Sequence, residues 1–292
     1  MGSKSRVARE IVGILPKAET LVDLFAGGCA ITHAAIKLNK WNNVIANDID
    51  WMPLDLFKRA LRGEFKNEKR FKTREEFMTQ KTKDPFIRYI WSFGNKGDSY
   101  LYSKEIEMFK KALFMYSVQG DFSLLKALGY DEKSFLWNKK NNPQAIWKHY
   151  KNRFGIAKDY EAKAFVSNDC CNRMVRLNAI GGKMPQFSNK SYEEVKIPEN
   201  SVVYCDIPYQ GTAEYRIKGF DYTKFFDWCS RQDEPLFISS YDMPENFKCV
   251  WGKKVDALLK KGNGGSVVEK LFVPIHQYER SRRLINEQTS LF

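Results

Sequence analysis

The residues best suited to chemistry lie at 201–212, S-V-V-Y-C-D-I-P-Y-Q-G-T. The apolar run at 202–205 has the length and composition of a buried strand, and it delivers an acid, Asp206, to its carboxyl end. Ligands of open α/β sheets sit just outside the carboxyl ends of strands. The chain then passes through Ile207 and Pro208 to an aromatic, Tyr209. A hydrogen-bond acceptor, a backbone stiffened by proline and a flat stacking surface follow one another directly. That combination suits a planar, amino-bearing substrate such as a nucleobase.

A second constellation precedes it. Residues 21–25 (L-V-D-L-F) form a short apolar strand, followed by Ala26-Gly27-Gly28 and a helix from Cys29 to Leu38. Strand, glycine turn and helix open a mononucleotide-binding βαβ unit. Glycine lets backbone approach a ligand, and the helix amino end offers unpaired N–H groups. The spacing is neither the dinucleotide G-x-G-x-x-G nor a P-loop, since no G-K-[ST] follows. A second strand at 43–47 ends at Asp48, placed to accept hydrogen bonds from a ribose 2′- and 3′-hydroxyl pair.

The elements that position these residues fall into two kinds. Strand and helix patterns alternate up to about Leu54 and resume near Met184, with strands at 184–188, 201–205, 236–240, 249–251 and 268–273 and a helix at 222–230. A short amphipathic helix is expected over 3–15, and a loose charged tail from Tyr278. Between them lie helical, basic patterns, including helices over 103–117 and 143–153 and a turn-rich loop over 92–99, expected above the site. The net charge of the 292-residue chain is +13. Residues 58–165 alone hold 24 Lys and Arg against 13 Asp and Glu, so most of the surplus sits there. Such a concentration is the footprint of a polyanion binder, or else of a solvated lysine-rich helical face. Aromatics are interleaved with the base (Phe71, Trp91, Phe93, Tyr100, Tyr102, Trp137, Trp147, Tyr150, Phe154); helical spacing makes most of them core, with two or three expected on nucleic acid.

Six cysteines form no C-x-x-C, and there are three histidines, so disulfide, zinc and histidine-rich metal readings are weak and no metal is expected. No apolar run approaches a membrane span, and no signal-peptide pattern opens the chain. A cytoplasmic protein with reduced thiols and no membrane partner is the expectation.

The order K-S-R, D-L-F-A-G-G, N-D-I-D and D-I-P-Y resembles the Dam-type (α-class) DNA adenine-N6 methyltransferases, the D-P-P-Y family that uses S-adenosylmethionine. The likeness covers most of residues 1–60 and 184–275 and is weak between them. It implies an α/β fold: a Rossmann-like class I methyltransferase sheet with an inserted, mainly helical, basic nucleic-acid-recognition domain. The catalytic domain would comprise 1–57 and 166–292, and the DNA-recognition insertion 58–165.

The resemblance implies methyl transfer from S-adenosylmethionine, released as S-adenosylhomocysteine, to the N6 amino group of a flipped adenine at a specific site in double-stranded DNA. Asp23, Phe25, Ala26, Gly27, Gly28 and Cys29 would line the cofactor, Asp48 and Ile49 would hold its ribose, and Lys4 would lie near cofactor and target. Asp206 and the Ile207 carbonyl would accept from the target amino group, with Pro208 fixing the turn and Tyr209 stacking on the base. A bacterial or phage-encoded monomer is implied, with a cognate restriction endonuclease as candidate partner.

The sequence departs from the family in two places. Ile207 stands where the first proline usually stands; the acceptor there is a main-chain carbonyl, so Ile207→Pro is expected to leave activity intact or raise it. Residues 187–192 lack the acid often found beside the cofactor's adenine, so Ser188, Asn189 or Ser191 would substitute. Adenine methylation in RNA and a non-catalytic nucleic-acid binder are the alternatives. An aspartate rather than asparagine at 206 argues against a protein-glutamine methyltransferase.

Overall fold

The computed structural model describes residues 4–95, 97–208, 219–256 and 266–289. The chain divides into two compact units, Met1–Lys58 with Gly182–Phe292, and Arg59–Gly181.

The first unit is built on a seven-stranded sheet in the order β3-β2-β1-β4-β5-β7-β6. Its strands are β1 (Thr20–Asp23), β2 (Asn43–Asn47), β3 (Gln186–Ser188), β4 (Ser201–Cys205), β5 (Leu236–Ser240), β6 (Phe247–Asp256) and β7 (Ser266–Pro274). The first five are mutually parallel, whereas β7 runs antiparallel to both β5 and β6. Every residue of β1, β4 and β5 is buried, as expected of central parallel strands covered on both faces. The chain leaves β1 for β2 on one side and returns to β4 on the other, so the carboxyl ends of β1 and β4 flank a topological switch point. The architecture is Rossmann-like.

Strand alternation sorts the core into two layers. Leu21, Val202, Tyr204, Phe237, Leu271 and Val273 face the helices α1 (Ala8–Ile14) and α2 (Ala30–Leu38), meeting Ile11, Leu15, Ile31 and Ala35. Val22, Val203, Cys205, Leu236 and Ile238 face the other way, onto Phe225, Trp228 and Cys229 of the Tyr222–Ser230 helix.

The chain start is a 3-10 turn at Lys4–Arg6 followed by α1, not one helix over 3–15. The carboxyl-terminal stretch is a helix at Tyr278–Thr289 rather than a loose tail. Ser281 is fully buried, Tyr278 and Ile285 pack on the core, and the side-chain carbonyl of Gln277 accepts the Leu236 N–H at 2.9 Å.

Helix α3 (Trp51–Leu61) carries the chain into the second unit, which consists of α4 (Arg74–Gln80), α5 (Pro85–Ile90), α6 (Lys104–Gln119), α7 (Ser123–Ala127), α8 (Glu132–Asn141), α9 (Pro143–Phe154), α10 (Ala162–Val166) and α11 (Asp169–Asn178). The helices complete the set with α12 (Tyr222–Ser230) and α13 (Tyr278–Thr289) of the sheet unit. The helical core is aromatic: Phe109 stacks on Phe165 at 4.0 Å between ring centroids, with Tyr150, Trp147 and Phe135 around them.

The unit closes at Gly181 instead of 165 for a visible reason. Lys110 of α6 is buried and donates to the carbonyls of Ala164 and Ser167, and Arg173 of α11 donates to those of Ile90 and Ser92 after α5. Residues 166–181 are therefore bound into the helical unit. Among the nine interleaved aromatics, Trp91, Tyr100, Tyr102, Trp147 and Tyr150 are buried, while Phe93, Trp137 and Phe154 are exposed. The 92–99 loop is closed by a bridge between Ser92 and Tyr100.

Candidate active site

The glycine turn follows β1. Gly27 has φ +47°, a conformation that favours glycine, and Cys29 at φ 58° caps α2. A side chain built at Gly27 or Gly28 would meet nothing within 4 Å, so the space over the turn is open. Asp48, just past β2, clips the turn in place: its Oδ2 accepts the Gly27 N–H at 2.7 Å and its Oδ1 the Asp50 N–H at 2.8 Å. Burial raises the Asp48 pKa, and these backbone bonds oppose the rise.

Asn47 is the joint beneath. Its side chain donates to the carbonyls of Leu24 and Lys190 and accepts the Lys190 N–H, tying together the ends of β1, β2 and β3. Of the three candidates to replace the missing acid, Asn189 spends its amide on the carbonyls of Asp48 and Ile49, and Ser191 caps the 3-10 turn Tyr192–Glu194. Ser188 ends β3, and its carbonyl accepts the Asp48 N–H at 3.3 Å. Ile49 is 53 % exposed beside them. Ala26 is fixed by donating its N–H to Asn47, and Phe25 packs edge-on against Phe220 and Phe225.

Asp23 departs from its expected place. It ends β1 buried at 1 % exposure, behind the turn rather than lining it. The reason is the first turn of α2, whose unpaired N–H groups need an acceptor. Asp23 Oδ2 takes both the Thr32 N–H at 3.0 Å and the Thr32 hydroxyl at 2.6 Å, while Oδ1 has no hydrogen-bond partner. Desolvation pushes its pKa up to about 7, against the pull of the Thr32 bonds.

The acid after β4, Asp206, is half-buried and joins a charge cluster with Lys4 and Glu269. Asp23, Tyr204, Asp206, Ser239 and Glu269 share strand parity with the α1/α2 layer, so the apolar face turns polar at its carboxyl edge. Lys4 lies on that edge, 9 % exposed, with Nζ 3.3 Å from Asp206 Oδ1 and 2.5 Å from Glu269 Oε1. Ser239 donates to the same Glu269 oxygen at 2.7 Å. Burial pushes the Asp206 pKa up to about 6, opposed by Lys4 and reinforced by Glu269. Ile207 is buried in the opposite layer with Val22, Leu24 and Phe225, and the Pro208 carbonyl accepts the Tyr222 hydroxyl at 2.9 Å. Tyr209 lies outside the described residues.

Glu269 and Asn47 are the residues that sequence reasoning missed. Glu269 reads as the solvent side of an amphipathic strand, and Asn47 as a strand end. Among the described residues, no group of three or more His, Cys, Asp and Glu comes together as a metal site. No helix among them is long and apolar enough to cross a membrane.

An acid after β4, a glycine turn after β1 and a clipping acid after β2 thus converge on one edge of a single sheet. A family profile, D12 class N6 adenine-specific DNA methyltransferase, matches residues 1–232. The chain belongs to that family. This D12-class enzyme methylates adenine N6 in DNA and uses S-adenosylmethionine. It is similar to the retron Ec67 DNA adenine methylase of Escherichia coli, 24 % identical over 257 residues that cover 82 % of this chain and 75 % of that one. Two solved structures of the rRNA methyltransferase aviRa from Streptomyces viridochromogenes align at 14 % identity over 98 % and 96 % of this chain and 88 % of theirs, with TM-scores of 0.34 and 0.33.

The site fits the cofactor. The turn leaves open space at Gly27 and Gly28, and it sits at the amino end of α2 with a carboxylate fixed beside it.

Proposed function

We propose that the D12-class enzyme acts on duplex DNA at a specific sequence, extruding the target adenine and presenting its N6 amino group to Asp206. The observation that carries this reading is the placement of Asp206 past β4, held by Lys4 at 3.3 Å, on the sheet edge that also carries the open glycine turn.

S-adenosylmethionine supplies an electrophilic methyl group and leaves as S-adenosylhomocysteine. The turn at 25–29 would cradle it, with Asp48 and Ile49 on the ribose side and Ser188 nearest the adenine. Asp206 and the Ile207 carbonyl accept hydrogen bonds from the N6 amino group, which orients its lone pair. The carboxylate also favours the positive charge that develops on that nitrogen as the new bond forms. With its pKa near 6, Asp206 is mainly ionised at neutral pH. Pro208 stiffens the turn and Tyr209 stacks on the extruded ring. Extrusion costs a few kcal/mol, and stacking on an aromatic offsets about 1–3 kcal/mol of it.

The helical unit binds the duplex. Its charge supports this: residues 59–181 hold 25 Lys and Arg against 14 Asp and Glu. Six free cysteines are in keeping with a reducing cytoplasm. The enzyme is read as a monomer whose modification would protect sites from a cognate restriction endonuclease.

The test is incubation with labelled S-adenosylmethionine and genomic DNA, followed by sequencing for N6-methyladenine. Asp206→Ala should lose transfer by several hundred-fold or more while keeping cofactor affinity within a few-fold. Transfer at the wild-type rate by Asp206→Ala would remove the residue from the mechanism.

A further inference from the structure

Helix α8 is anchored by one fully buried side chain, Phe135, whose ring meets those of Phe109, Phe122 and Tyr130. At about 100° per residue, Asn138 and Lys139 share that inner side, and both are half-buried. The helix's single acid, Glu132, is exposed in its first turn, where it interacts with the Tyr116 hydroxyl. The opposite side carries Lys133, Leu136, Trp137 and Lys140, all exposed, with Trp137 at 61 % and Leu136 at 47 %.

Leu136 and Trp137 are the two large apolar side chains exposed on this helix. Adjacent large apolar groups rimmed by polar ones mark an interaction surface. The lysines narrow the class of partner. Protein–protein interfaces are depleted in lysine, whereas surfaces that bind nucleic acid pair lysine with aromatics. The exposed acids Asp131 and Glu132 are confined to the helix's amino end, and the unit around it holds 25 basic against 14 acidic residues.

We propose that the outer face of α8 is a DNA-contacting surface, with Lys133 and Lys140 on backbone phosphates and Trp137, flanked by Leu136, against the sugars between them. This rests on the reading of the helical unit as the part that binds the duplex. Trp137 and the lysines contribute differently: the ring by a contact insensitive to salt, each lysine by displacing counterions.

The experiment measures binding of the full-length protein to an adenine-containing duplex by fluorescence anisotropy across a salt series. Trp137→Ala should weaken binding about ten-fold with the salt slope unchanged. The double variant Lys133→Gln/Lys140→Gln should weaken binding and reduce the log–log salt slope by about two. Cofactor affinity and the thermal unfolding midpoint should stay at wild-type values in both, since all these side chains are exposed. Wild-type affinity and slope in the variants, while the wild type still methylates DNA, would discard the surface and leave the enzymatic reading standing. A change in the sedimentation of the free protein without loss of DNA affinity would assign the face to a second copy and overturn the proposal. A wild-type protein that neither binds nor methylates DNA would overturn it together with the reading beneath it.

Discussion

The Lys4 ammonium stands 3.3 Å from the Asp206 carboxylate on one edge of the sheet, although Lys4 opens the unit's first segment and Asp206 lies in its second. Asp206 also faces Glu269 and Asp48, both of which push its pKa up, so Lys4 is the cation that opposes burial there. In the proposed role of Asp206 transfer needs the carboxylate, so wild-type kcat/KM should fall as pH drops through about 6. In Lys4→Met the acid limb should move to higher pH. Activity at pH 7 should drop about ten-fold or more and recover toward alkaline pH. A pH–rate profile of both proteins checks this; equal impairment at every pH would mean that Lys4 acts by some other route.

Glu269 makes the same arrangement visible in stability. Removing Lys4 alone leaves the buried Glu269 carboxylate and the half-buried Asp206 carboxylate with no ammonium between them, which costs about 3 kcal/mol. Glu269→Gln in the Lys4→Met background removes one of them, so the double variant should be more stable than Lys4→Met alone. The coupling should be about 1–3 kcal/mol in a urea double-mutant cycle. Additive effects would show that the 2.5 Å contact does not couple the two charges.

The parallel strands were legible because burial on both faces writes them as apolar runs: residues 43–47, 201–205 and 236–240 are strands as read. The glycine turn and the acid after β4 were legible for the same reason, since special residues stand out at the end of such runs. Glu269 was not. It looks like an ordinary surface charge, and only its tertiary pairing with Lys4 makes its burial tolerable. Asp23 was misplaced because a strand-end acid beside a glycine turn reads as a ligand group, whereas the free N–H of Thr32 claimed it. The end of the insertion was misjudged because Lys110 and Arg173 anchor it by bonds to main-chain carbonyls, which leave no trace in a hydrophobic pattern.

Ile207→Pro is expected to leave activity intact or raise it, because only the carbonyl would be used, and the structure adds a packing role for the side chain. Its side chain is 3 % exposed and packs with Val22, Leu24 and Phe225, so it also closes one core layer. Ile207→Pro should therefore lower unfolding free energy by about 1–3 kcal/mol, and Ile207→Ala by about 2–5 kcal/mol. Turnover per folded active site should stay near wild type for Ile207→Pro. Denaturation curves and active-site-normalised rates check both; a stable Ile207→Pro protein with lost turnover would place the effect in the turn instead.

Asp23 gives the last prediction, with its sign set by burial. Its folded pKa, about 7, lies above the ordinary 3.8. Between those values the folded protein holds a proton that the unfolded chain releases, so this group's contribution falls as pH rises through the window and is level above it. At pH 8 the folded protein carries a buried carboxylate with one oxygen unpartnered. Asp23→Asn keeps an acceptor for Thr32 and removes the charge. It should match the wild type near pH 4 and exceed it by a few kcal/mol at pH 8. Urea unfolding at the two pH values measures the difference. A variant less stable than wild type at pH 8 would mean that the Asp23 carboxylate is ionised and fully satisfied in the fold.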